Sequence, residues 1–332
     1  MNLKLKYILL GSYFIALGLA SGAVLSGDAS EWLNKMHQAI AQKNYEGTFF
    51  HRREDKVESL YIIHRMREGI VSERLVSLDH YGWEFIRRNN ELLSFLPDQR
   101  VVVVEQQSLS APLLVRVPSF NEATAAAYIL KPVEITRLLE REVILVSITP
   151  LDEFRYGYRI WIDTRTAMPL KTELSNAQGE VLEQIVFTSL TLTRDIPDIA
   201  FAPSILSKGF RWIRKAEPDA SILKKIPASI DVWRAQRLPP GFRLMQRGRH
   251  RFPGQKDSVA HLVFSDGVAF VSVFIRDHAR RARPEAATIV RIGASSSVST
   301  HIDGYPVTVM GEVPPSTIKF IAAQLQLEGD LR

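Results

Sequence analysis

A chain of 332 residues with 46% apolar content has room for two domains, each burying its own core, and shows no low-complexity tract that would mark disorder. It contains no cysteine, which excludes disulfides, thiol chemistry and thiolate metal sites together. The formal charge of +6 is unevenly placed: Ser229–Arg332 holds 14 basic against 9 acidic residues, net +5, whereas Asp28–Ala228 holds 26 against 27, net −1, and two lysines near the N-terminus complete the sum.

The N-terminus reads as an export signal over residues 1–27. Lys4 and Lys6 form a positive start, Tyr7–Ala20 an apolar run broken by Gly11, Ser12 and Gly18, and small residues follow at Ala20–Ala23 and Ser26-Gly27. The other reading is an uncleaved anchor, but the run falls short of the ~20 apolar residues of a spanning helix. Cleavage is therefore expected between about Ala20 and Gly27, placing the chain in the periplasm. No cysteine follows the run, so no lipid is attached there. For an exported chain the basic last third implies acidic partners, a carboxylate-rich polypeptide or a phosphorylated lipid surface, and no nucleic acid.

The mature chain opens with a predicted helix from Asp28 to about Lys43, with Leu33, Met36, Ala39 and Ile40 on one face and Asp28 and Glu31 at capping-box spacing. Strands are predicted at Gly47–Arg53, Glu58–Met66, Ile70–Leu78, Trp83–Arg88, Glu91–Leu96 and Arg100–Glu105, an antiparallel meander. A second helix is expected over Ser119–Leu130, ended by Pro132. Strands resume at Val143–Thr149, Tyr156–Asp163, Leu170–Ser175 and Val181–Leu192, with a hairpin turn at Asn176–Gly179. A sheet this wide must curl, and helices on its concave side that fail to fill it would leave an apolar cavity. The large domain is thus residues 28–195. Residues 196–228, with Pro197, Pro203, Pro218 and Pro227, read as a linker. The small basic domain, 229–332, has strands at Ala260–Phe264, Val268–Arg276, Ser295–His301 and Tyr305–Glu312, and a final helix opening at Pro314-Pro315-Ser316.

Catalytic templates are missing: no His-Glu-x-x-His, nucleophile elbow, phosphate loop or dinucleotide fingerprint occurs. The eight histidines are scattered, with no close metal-ligand pair. Asp152-Glu153 and Asp163 read as turn residues rather than catalytic acids. No catalytic residue, metal or cofactor is assigned, and the chain reads as a binder. Candidates for a lipid cavity are Phe49, Tyr61, Phe85, Phe95, Trp161 and Phe187, each of which also suits a plain core. Candidates for an anion- or partner-reading face are Arg243, Arg247, Arg249, Arg276, Arg280, Arg281 and Arg283, because arginine grips carboxylate and phosphate with two parallel bonds.

Five segments then carry a resemblance. They are Trp32-Leu33 with Asn44–Phe49; His64 through Glu73-Arg74-Leu75 to Trp83–Arg87; Arg155–Asp163 with Met168-Pro169-Leu170; Leu238–Phe242 with Ser265–Val273; and Gly293-Ala294-Ser295 through Val309–Pro315. In this order, across nearly the whole mature chain, they resemble the RseB/MucB family of negative regulators of the envelope-stress sigma factor. The agreement is weaker between about Leu109 and Glu142. The resemblance implies an α+β fold: an unclosed antiparallel β-barrel with helices in its mouth, similar to periplasmic lipoprotein carriers, followed by a smaller α/β domain. It also implies a partner, the periplasmic domain of a membrane-spanning anti-sigma factor of the RseA/MucA type, shielded from the initiating protease and released when lipopolysaccharide or an acylated lipid displaces the regulator. A homodimer is left open. The alternative is a carrier that only shuttles a lipid or lipoprotein.

Overall fold

The computed structural model describes residues 28–79, 82–106, 113–114, 127–131, 134–214, 233–251, 258–276 and 287–327. The expected signal segment and most of the expected second helix lie outside them.

The first helix, α1 (Ala29–Gln42), is capped by Asp28, whose carboxylate accepts from the Ser30 amide at 3.1 Å. Glu31 pairs with Lys35 at 2.7 Å. The helix buries Trp32, Leu33, Met36, Ala39 and Ile40. Six strands follow as an antiparallel meander: β1 (Tyr45–Arg53), β2 (Lys56–Arg67), β3 (Ile70–Ser77), β4 (Glu84–Arg88), β5 (Glu91–Leu96) and β6 (Val101–Gln106). Then come β7 (Tyr128–Leu130), β8 (Glu134–Leu138), β9 (Arg141–Pro150), β10 (Gly157–Asp163), β11 (Pro169–Ser175), β12 (Val181–Leu192) and β13 (Arg211–Arg214). Among the described residues these make one sheet of order β13-β6-β5-β4-β3-β2-β1-β12-β11-β10-β9-β7, with β8 also on β9. Its end strands β13 and β7 do not pair with each other, so the barrel stays unclosed.

Alternation along each strand decides what covers each face. Leu60 and Ile62 of β2 join α1, Phe49 and Phe187 in the main core, whereas Tyr61 and Ile63 point to the other side. Gly47 is required at the close crossing of β1 and β12, where a Cβ would lie 2.5 Å from the Ser189 carbonyl oxygen and 2.9 Å from Phe187.

Two expectations differ from the structure. The end of the expected second helix, Tyr128–Leu130, is a strand paired to Ile148–Pro150. Paired to β9 at the end of the sheet, with Tyr128 buried, the Tyr-Ile-Leu triplet gains ladder bonds that override the weak helical pattern. Residues 196–214, expected as linker, lie against the back of the sheet. Ile196 and Phe201 cover Tyr61 and Ile63, Ile205 and Phe210 cover Ile86, Phe95 and Val102, and β13 pairs in parallel with β6. Proline here shapes a strap rather than a free tether, because its apolar residues meet the exposed convex face.

The C-terminal sheet has β15 (Arg243–Arg251), β16 (Ser258–Ser265), β17 (Phe270–Arg276), β18 (Thr288–Ile292), β19 (Ser295–Ile302) and β20 (Tyr305–Gly311), in the order β15-β16-β17-β20-β19-β18. Helix α2 (Pro315–Gln324) packs Ile318 and Ile321 on one face of it. A small pair, β14 (Trp233–Ala235) with β21 (Leu325–Leu327), flanks that helix.

Candidate binding site

The residues proposed for a lipid cavity fall into three groups. Phe49 and Phe187 are buried against each other in the core beneath α1, ring centres 5.2 Å apart, and Phe85 packs at its margin beside Trp83. Tyr61 and Phe95 lie on the opposite face under the 196–210 strap. Trp161 is half-buried, with the Lys171 ammonium 4.3 Å and the Arg159 guanidinium 5.6 Å from its ring. The alternation rule could have separated Tyr61 from Phe49, since they sit on neighbouring strands in non-facing positions.

The concave side also holds a polar cluster. Glu73 and Arg87, fully buried, form an ion pair at 2.8 Å; His64 lies 3.9 Å from Glu73 and stacks on Tyr45 at 4.8 Å. The Leu113 amide donates to Glu73 at 3.2 Å, and His64 Nδ1 bonds the Lys43 carbonyl at 2.8 Å. Burial pushes the Glu73 carboxyl up to about 7 against the pull of Arg87, and burial pushes His64 down to about 4 despite the Lys43 carbonyl.

The third region is the junction between the two sheets, and three of the five segments singled out in the sequence meet there. Arg155, in the turn between β9 and β10, is 1% exposed. Its Nε donates to Asp266 at 2.8 Å, its other two nitrogens donate to Asp152 and to the Pro240 carbonyl, and its guanidinium lies between the rings of Tyr128 and Phe242 at 5.6 and 5.4 Å. Asp266 is held in turn by the amides of Val268 and Ala269 at 2.9 and 2.8 Å. The positive φ of Gly241, +78°, turns the Pro240-Gly241-Phe242 loop over the guanidinium. Ser316 and Thr317, at the start of α2, donate to the carbonyls of Glu153 and Phe154 at 2.8 and 2.7 Å. Beyond them the Gly293 amide donates to Glu54 at 2.8 Å, and Ala294 packs on Tyr156 and Leu182. Asp152 and Arg155 had been read as turn and hairpin residues; only the long-range pairing to Asp266 reveals their role as a clasp. Asp163 is the turn former expected, accepting from the amides of Arg165 and Thr166 at 3.0 and 2.8 Å.

The arginine candidates divide as well. Arg243, Arg247 and Arg249 are on β15, with Arg247 donating to the Trp233 carbonyl at 3.4 Å. Arg276 ends β17, and β16 lies between: His250 and Arg276 both pair with Val259, so Arg249 and Arg276 sit at one end of the sheet and Arg243 at the other. Arg280, Arg281 and Arg283 lie outside the described residues. Among the described residues no group of three or more His, Cys, Asp or Glu is placed to hold a metal ion.

Comparison with known proteins gives a consistent answer over both sheets. Residues 28–205 match the model of the MucB/RseB N-terminal domain, and residues 227–326 that of the MucB/RseB C-terminal domain. The chain is 32% identical to the sigma factor AlgU regulatory protein MucB of Pseudomonas aeruginosa, over 97% of this chain and 96% of that one. The solved complex of Pseudomonas aeruginosa MucA/MucB superposes with a TM-score of 0.70 at 28% identity, covering 91% of this chain and 100% of that one. A crystal structure of MucB gives 0.57 at 27% identity, covering 91% and 98%.

Proposed function

We propose that this chain, which belongs to the MucB/RseB family, is a periplasmic negative regulator of a sigma-E-type envelope stress response. It binds the periplasmic domain of a membrane-spanning anti-sigma factor, protects that domain from the protease that starts its destruction, and lets go when lipopolysaccharide or another acylated lipid binds.

The observation that carries this reading is full-length agreement in both parts with a protein solved in complex with MucA, closer in arrangement to that complex (0.70) than to MucB by itself (0.57). The Arg155 clasp supplies a physical reason for a defined arrangement of the two sheets, and a partner that touches both sheets needs one. Release by lipid requires the lipid to favour an arrangement that holds the partner less well; a coupling of about 1–3 kcal/mol changes partner affinity by roughly 5- to 150-fold.

The test combines the purified anti-sigma periplasmic domain, its initiating protease and this protein. Cleavage should slow when the protein is present and recover when lipopolysaccharide is added. Equal cleavage with and without the protein would remove the regulatory reading. Transfer of bound lipid to an acceptor, with no protection, would favour the carrier instead.

A further inference from the structure

We propose that the outer edge of β15 is a docking strand for an extended, acidic peptide segment. This deepens the anti-sigma reading by naming where a partner's polypeptide lies, and it rests on that reading for the partner's identity.

Three observations converge on this edge. Among the described residues β15 pairs with β16 alone, so one side of a nine-residue strand carries no neighbour, and an extended peptide can add to it through backbone bonds. Its charge is of one sign. Between Trp233 and Arg251 the sequence holds arginines at 234, 237, 243, 247, 249 and 251 and no aspartate or glutamate. Arg234, Arg237 and Arg243 are exposed. Finally, a hollow of about 200 Å³ opens beside the strand, walled by Trp233, Leu238, Leu244, Leu262 and Phe264 with Arg247 at its side.

Charges on an edge strand commonly serve to keep other strands away. That purpose does not explain Leu244 and Met245, which are 39% and 53% exposed on the same strand, at a β-bulge between Leu244 and Gln246. A bulge re-aims side chains out of the ladder. Apolar contacts next to a small hollow lined also by Arg234 and Arg247 suit a strand that is both apolar and acidic. The register allows such alternation: Arg247 and Arg249 lie opposite Leu262 and Ala260 on the helix-covered side, while Gln246 and Gly248 take the other side. An anionic membrane surface matches the charge but offers no row of amides and carbonyls for the backbone.

The experiment uses the full mature chain and three synthetic ten-residue peptides. One alternates glutamate with valine and leucine, one replaces each glutamate by lysine, and one keeps glutamate but is N-methylated at alternate amides. Binding of the first should slow amide hydrogen exchange over Leu244–Arg249. It should weaken by about tenfold or more at low salt in an Arg237→Glu/Arg243→Glu variant, whose substitutions are exposed and leave the melting temperature unchanged. The lysine and N-methylated peptides should bind at least tenfold more weakly to the unaltered protein. Equal binding of the N-methylated peptide overturns the proposal, as does protection that appears over Thr288–Ile292 or Arg211–Arg214 in place of β15. Protection of β15 by phosphatidylglycerol vesicles, with none from the acidic peptide, overturns it too. No anti-sigma factor or protease enters this assay, so its failure removes the docking strand and leaves the protection assay standing.

Discussion

Replacing Arg155 should separate the two sheets without unfolding either. Its guanidinium has no exposed side chain surface, donates to two carboxylates and one carbonyl, and lies between two aromatic rings. In Arg155→Ala the fully buried Asp266 side chain keeps, among the described residues, the amides of Val268 and Ala269. Breaking one partner of a buried pair costs about 3–5 kcal/mol, because the remaining charge is left uncompensated. For a chain of this size about 1 kcal/mol moves the midpoint by roughly 2 °C, so the transition that melts the junction should fall by roughly 6–10 °C. Calorimetry should show one endotherm for the parent and two for the variant, and small-angle scattering should show an enlarged radius of gyration for the variant. Arg155→Met with Asp266→Asn, which removes the fully buried charge pair and fills much of the space between Tyr128 and Phe242 while leaving the partly exposed Asp152, should recover part of the loss. A midpoint for Arg155→Ala within 1 °C of the parent, with unchanged scattering, would refute the clasp as the element that orients the sheets.

Other perturbations read different parts of the molecule. Glu84 is buried on the convex face, pairs with Arg74 at 2.5 Å and accepts the amides of Ser204 and Ile205 at 3.0 and 3.2 Å. Glu84→Gln should cost about 3 kcal/mol and speed tryptic cleavage after Lys208 and Arg211, measured by limited proteolysis. Gly47→Ala should cost about 1–3 kcal/mol in denaturant unfolding, since the Ser189 carbonyl belongs to the paired strand and has no room to retreat. In the concave cluster, two protonation effects oppose each other. The raised carboxyl of Glu73 contributes stability below pH 4.5 that is lost as pH rises through about 7; the lowered His64 contributes stability above pH 6.5 that is lost as pH falls through about 4. His64→Gln removes the second effect, so its stability should fall between pH 5 and 7 by on the order of 2 kcal/mol, where the parent changes little. A flat profile for that variant would show that Glu73 stays ionised throughout.

Period-two alternation made most of the fold readable. Nearly every predicted strand of the large sheet appears within two or three residues of its expected bounds, and both α1 and α2 begin where their N-terminal signals place them. What escaped was long-range. The proline-rich run after Ile196 looks like a tether because its apolar residues, Ile196, Phe201, Ile205 and Phe210, follow neither a helical nor a strand period. Their spacing answers the pockets of the convex face instead. β15 escaped because its arginines obscure the apolar alternation by which a strand is recognised. Arg155 stood inside the most distinctive run of the chain, yet its partner is 111 positions away and no local rule links them. The aromatic list failed in part for the reason that alternation succeeds: composition collects Phe49 and Tyr61 together, while the pleat sends them to opposite sides.

The strap has a consequence for how the protein tolerates damage. It carries the chain across the back of the large sheet and ends in β13 beside β6, while the second lobe is gripped at the β9–β10 turn and the tip of the β1–β2 hairpin. Covalent continuity and mechanical attachment are therefore supplied at separate places. A nick anywhere between residues 215 and 232 should leave two pieces that still travel together through a sizing column.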